Sequence, residues 1–219
     1  AGLTQHPKLP CVDWSRLRLA GGGGAAVIRT TSERWQAITG KFICEGYGLS
    51  ETSPVVSFNP EFIREFSGST GLPAPSTDVK LLDEQDREVP IGEAGEICVK
   101  GPQVMRGYWQ KPQANASAFT ADGYFRTGDV GQFDERGFLK IVDRKKDMVL
   151  VSGFNVYPNE IEAVAAACPG VAECACVGVA DDKTGEAVKL FVVKSANAEL
   201  GEEQLIAHCR AQLAGYKVP

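Results

Sequence analysis

Five consecutive charged residues, DRKKD at 143–147, divide the chain into two patterns of hydrophobicity. A run this polar has no place in a core, so the backbone is expected to pass through solvent there. Before it, from about 70 to 142, apolar residues come in short runs such as DVKLLD, GEICVKG and GFLKIVD. The turn-rich segments DEQDREVPIGEAG and DERG separate them, which predicts a strongly curved β-rich subdomain with one short helix over QANASAF. After it, the order reads strand, helix, strand, strand, helix. MVLVSG is the first strand, and PNEIEAVAAAC is a helix with Ile161, Val164, Ala165 and Cys168 on one face. VAECACVGVAD and AVKLFVVKS are strands, and GEEQLIAHCRAQLAG is a helix with Leu205, Cys209 and Leu213 at i, i+4 and i+8. Residues 148–219 therefore predict a small α+β unit whose helices cover one face of a sheet. Residues 1–142 are expected to form a separate portion, with the charged run 143–147 as the junction between the two.

The first portion opens with four glycines at 21–24, a helix over AAVIRTTSERWQAITG and a strand at KFICEG. Residues 53–77, rich in Pro, Gly and Ser, are expected to form ordered loops around a site rather than a core element. With 219 residues, 43% of them hydrophobic, the chain can bury one large or two smaller cores. A net charge of −5 without a long basic run gives nucleic acid no electrostatic footing. No run approaches the roughly 18 apolar residues of a spanning helix, and AGLTQHPKLP lacks the apolar core of a secretory signal. The seven cysteines are scattered and odd in number, and they read as small buried hydrophobes in a reducing compartment. His6 and His208 are too few and too far apart for a histidine-based zinc site.

Four stretches carry chemistry-bearing residues. Gly22, Gly23 and Gly24 let the backbone approach a ligand, or simply turn into a helix. No GxxxxGK[ST] follows, so a Walker loop is excluded. In GYGLSET, Gly46 and Gly48 flank Tyr47, whose ring can stack on a base or pack. Ser50 and Thr52 can donate to phosphate, and Glu51 offers a hard oxygen to magnesium; a capped polar loop is the alternative. In YFRTGD, Asp129 can accept two hydroxyl hydrogen bonds, as from a ribose, or cap a turn. In DRKKDMVLVSGFNVYPNEIE, Arg144 can hold phosphate or ribose oxygens, or solvate a linker, and Gly153 can admit a narrow ligand. Pro158, Glu160 and Glu162 are explained by helix initiation.

Taken together, EGYGLSET, YFRTGD, IVDRKKDMVLVSGFNVYPNEIE and GYKVP, in this order and spacing, resemble the adenylate-forming superfamily of acyl-CoA synthetases, luciferases and peptide-synthetase adenylation domains. SGFNVYPNEIE and VKGPQVMRGYW are especially similar to its bacterial long-chain fatty-acid–CoA ligase branch. The resemblance implies α/β and α+β domains: the C-terminal part of a large AMP-binding domain, then a small mobile domain. It implies joining of a fatty acid to ATP, release of pyrophosphate, and acyl transfer to coenzyme A. Gly22, Gly23 and Gly24 would line the adenine side, with Gly48 beside Tyr47 as that ring stacks on the base. Ser50, where the family usually has Thr, would contact phosphate, and Glu51 would bind Mg2+. Asp129 would hold the ribose hydroxyls and Arg144 ribose or phosphate, Lys146 would be the hinge, and Gly153 would border the pantetheine path.

The family's phosphate loop with its lysine lies upstream of these motifs. SGSTG at 67–71 lacks the lysine and comes after the GYG motif, so it is not that loop. The family's catalytic lysine lies beyond Pro219, and Lys217 belongs to GYKVP. The resemblance therefore implies a piece of a longer ligase that is inactive by itself. The same resemblance implies a cytoplasmic protein, with contact to the inner face of the cell membrane and a homodimer left open. Another adenylate-forming enzyme, such as an aryl- or medium-chain acyl-CoA ligase, and a truncated nucleotide-binding homologue are the competing readings.

Overall fold

The computed structural model describes residues 2–219. Its contacts divide the chain between Ile141 and Val142.

In the first unit, β1 (Ala20–Gly22) and β2 (Ile43–Gly48) pair in parallel with Gly22 opposite Glu45. Helix α1 (Arg29–Thr39) connects them. It stops at Gly40, whose φ of 70° only glycine adopts readily and whose N–H donates to the Gln36 carbonyl at 2.8 Å. β2 then turns back against β3 (Val55–Phe58), and β4 (Leu72–Pro73) completes the four-stranded sheet. Residues 53–77, expected to be loops outside the core, thus carry two strands, and Val56 and Ser57 are fully buried. The signal was four residues, VVSF, between Pro54 and Pro60, too short for a period to register.

A second sheet runs in the order β5 (Asp78–Leu82), β6 (Ala94–Lys100), β7 (Phe125–Phe133), β8 (Leu139–Arg144). Helix α2 (Pro112–Ala118) lies in the connection before β7, with Pro112 in its first turn. The two sheets share one core, in which Val56 meets Leu81, Ile97, Val99 and Leu139. Tyr47 and Leu49 pack against that cluster, so the GYG strand end is anchored in the interior.

In the second unit, β9 (Val149–Val151) and β10 (Phe154–Val156) form a hairpin. Its two-residue turn has φ of 51° at Ser152 and 83° at Gly153, the mirror-image turn that suits twisted strands. Helix α3 (Pro158–Ala166), strands β11 (Val171–Asp181) and β12 (Gly185–Lys194) and helix α4 (Glu202–Arg210) follow. The sheet order is β10-β9-β12-β11. One strand more than expected is present, and α4 ends earlier than its pattern, although Leu213 beyond it is still buried. Ile161, Ala165, Leu205 and Cys209 of the helices pack on Val149, Val151 and Cys176 of the sheet.

All seven cysteines are free among the described residues. Five are buried, Cys174 is half-buried and Cys11 is exposed. Burial pushes the Cys98 and Cys176 thiols up to about 12, so both pack as small hydrophobes. No helix among the described residues is long and apolar enough to cross a membrane.

Candidate functional site

β2 and β7 bring Tyr47 and Asp129 together. The Tyr47 hydroxyl donates to Asp129 Oδ2 at 2.6 Å. Gly128, at φ of 73°, bends β7 just before Asp129. The Asp129 N–H donates to Thr127 Oγ1 at 3.1 Å, and that hydroxyl donates to the Ile97 carbonyl at 2.8 Å. The Asp129 main chain is thus held within its own strand, and the tyrosine holds its carboxylate.

The glycines have distinct reasons to be there. A Cβ at Gly48 would lie 1.7 Å from the Pro54 carbonyl oxygen, so the tight β2–β3 turn demands glycine. A Cβ at Gly23 would lie 2.8 Å from the Gly46 carbonyl oxygen, and one at Gly22 would lie 2.7 Å from the Ile43 side chain. These three are required by packing. Gly24 faces open space and needs its φ of 78°. Gly153 likewise has open space around it and serves the β9–β10 turn.

Ser50, Glu51 and Thr52 form one turn of 3-10 helix after β2. Ser50 is exposed and Glu51 half-buried. Thr52, read as a phosphate donor, is fully buried: it donates to the Pro54 carbonyl at 2.6 Å and accepts from the Leu49 N–H at 3.0 Å. It fixes the turn and presents no hydroxyl to a ligand. The backbone carbonyl of Glu51 accepts from the Met105 N–H at 2.8 Å, and Oε1 of its side chain accepts from the Tyr108 hydroxyl at 3.0 Å. No cluster of three or more His, Cys, Asp or Glu among the described residues makes a metal cage. A single half-buried carboxylate with one oxygen still unengaged suits a magnesium ion whose shell phosphate and water complete.

In the second unit, Arg144 and Lys146 are exposed, and the turn Lys145–Asp147 buries none of its residues. A cavity of about 350 Å³ is lined by Lys146, Asp143, Asn159, Glu162 and Glu186 among others. Asp143, by contrast with its charged neighbours, is buried. Its oxygens accept from the Arg144 N–H at 2.7 Å and from the Asn159 N–H at 2.9 Å, capping the first turn of α3. Burial holds its carboxyl above the usual range, while those two backbone bonds pull it down.

Three residues escaped the sequence reading. Asp143 was hidden in a run read as wholly solvated. Tyr108 lies 57 positions from the carboxylate it holds. Glu45, on β2 opposite Gly22, is buried, and desolvation raises its pKa to about 7 against a backbone hydrogen bond at Val27 that lowers it. Only its place in the GYG motif marked it.

Residues 2–109 match the family model for AMP-binding enzymes, and residues 160–219 match that for the AMP-binding enzyme C-terminal domain. The chain is 57% identical over 217 residues to a long-chain-fatty-acid–CoA ligase of Escherichia coli O6:H1, covering 99% of this chain and 38% of that protein. It is 58% identical over the same length to the Salmonella typhimurium enzyme of that name, again covering 99% and 38%. The chain thus spans well under half the length of these relatives. The crystal structure of ATP-bound MatB from Rhodopseudomonas palustris superimposes with a TM-score of 0.92 at 39% identity, covering 100% of this chain and 43% of that one. Two family models in succession, together with relatives matched along nearly the whole chain, establish that it belongs to the AMP-binding enzyme family.

Proposed function

We propose that the complete gene product is a long-chain fatty-acid–CoA ligase. A carboxylate oxygen attacks the α-phosphorus of ATP, the bond to the β-phosphate oxygen breaks, and pyrophosphate leaves. The thiolate of coenzyme A then attacks the acyl carbon, the bond to AMP breaks, and the thioester is released. The observation that carries the reading is the Tyr47–Asp129 pair beside the glycine turn, in a chain 57% identical to a ligase of that name.

In this reading Tyr47 offers its ring to the adenine, near Gly24, and its hydroxyl fixes Asp129 for the ribose hydroxyls. Packing accounts for Gly22, Gly23 and Gly48, which shape the backbone that meets the base. Ser50 and Arg144 serve phosphate and ribose oxygens. Glu51 holds Mg2+, which when bound screens polyphosphate charge from the incoming carboxylate. Lys146 is the pivot between the half-reactions: its turn buries no side chain, so its dihedrals can change without opening a core. Gly153 borders the coenzyme A thiol path. The acyl chain gives the enzyme reason to work at the inner face of the cell membrane, as a cytoplasmic protein.

The test is a panel of medium-chain, long-chain and aryl acids given to the complete gene product. Pyrophosphate release and thioester formation are followed with and without coenzyme A. Both activities should be greatest with long-chain acids. Preference for aryl acids, or adenylation that never yields a thioester, overturns the reading.

A further inference from the structure

We propose that Tyr108 is a positioning residue for Glu51, fixing the orientation in which that carboxylate meets a divalent cation; this rests on the reading of Glu51 as the magnesium ligand. The Tyr108 hydroxyl donates to Glu51 Oε1 at 3.0 Å and leaves Oε2 without a hydrogen-bond partner among the described residues. A ligating carboxylate is usually held in this way through its second oxygen, which fixes one ligand geometry.

Tyr108 is itself clamped. Its N–H donates to Asn115 Oδ1 at 2.7 Å, and its carbonyl accepts from Asn115 Nδ2 at 2.9 Å. Asn115 sits on α2, so a short helix fixes the loop that carries the tyrosine. Gly107 allows the approach: its φ is 144°, and a Cβ there would lie 3.1 Å from Asn115 Oδ1. The Met105 N–H adds a backbone bond to the Glu51 carbonyl at 2.8 Å. Segment 105–115 therefore grips Glu51 by main chain and side chain alike. Tyr108 is 37% exposed and belongs to neither buried core cluster.

The experiment measures Mn2+ affinity by electron paramagnetic resonance, with ATP present, on the complete gene product and its Tyr108→Phe, Asn115→Ala and Glu51→Gln variants. The magnesium concentration giving half-maximal adenylation is measured alongside. Tyr108→Phe should weaken Mn2+ binding roughly tenfold and raise the magnesium requirement by the same factor. Asn115→Ala should act in the same direction. Wild-type Mn2+ affinity in Tyr108→Phe, with Glu51→Gln impaired, overturns the role of Tyr108 and leaves Glu51 in place. Wild-type affinity in Glu51→Gln overturns both. A fall in kcat and thermal midpoint in Tyr108→Phe, with Mn2+ affinity unchanged, marks a merely structural contact and also overturns it.

Discussion

The Tyr47 phenol and the Asp129 carboxylate meet at 2.6 Å across 82 residues of chain. One is fixed by the core beneath β2, the other by the bend in β7. A hydrogen bond to a charged acceptor at a partly exposed site contributes about 1 kcal/mol. Tyr47→Phe should lower the thermal midpoint by a few degrees. Under the proposed function it should also raise the KM for ATP several-fold, with a smaller effect on the KM for the acid. An unchanged KM for ATP would remove the pair from nucleotide binding.

The glycines separate packing from freedom. Gly48→Ala places a Cβ 1.7 Å from a backbone oxygen, which no rotamer relieves. It should abolish soluble expression or cost more than about 3 kcal/mol. Gly24→Ala meets no atom within 4 Å and bears only the left-handed backbone cost, about 1–2 kcal/mol. Soluble yield and urea midpoints of the two variants should therefore differ sharply.

Glu45 makes stability depend on pH. Its pKa in the folded protein is about 7, above the ordinary 4.5, because burial disfavours its charge. The folded state therefore holds this proton more tightly than the unfolded state does. That contribution is complete below pH 4.5 and is lost as pH rises to about 7. Glu45→Gln should remove the dependence, so that wild type loses about 3 kcal/mol relative to the variant across this window. Thermal midpoints of both proteins, followed from acid to neutral pH, check the slope; parallel curves refute it.

Asp143, near the end of β8, caps α3 across the β9–β10 hairpin in sequence. Asp143→Ala leaves the Asn159 N–H without its acceptor and should cost about 1 kcal/mol. The local signature is faster amide hydrogen exchange at Asn159, with the Cys209 amide in α4 unchanged. Equal acceleration at both sites would indicate general loosening instead.

Lys146 tests the pivot. Lys146→Pro in the complete gene product should spare acyl-dependent ATP–pyrophosphate exchange and reduce thioester formation at least tenfold, about 1.4 kcal/mol of barrier. Equal loss of both half-reactions would assign the position to general stability.

The local periods of the sequence determined the helices and most strands of this protein. Gly40 stops α1 through its own conformation, and Ile161 and Ala165 mark the buried face of α3 by spacing alone, while Cys168, expected on that face, is buried just beyond the helix end. The order of the GYG, RTGD and DRKKD stretches likewise marked Tyr47, Glu51, Asp129 and Arg144 before any contact was known. Only the tertiary structure decided that Tyr47 donates to Asp129, that Tyr108 holds Glu51, and that Thr52 turns inward. It also buried Val56 from a proline-flanked stretch and Asp143 from a charged run. The physical reason is range. A helix face or a turn is set by neighbours a few residues away, whereas a side-chain partner depends on strand pairing and register across the sheets.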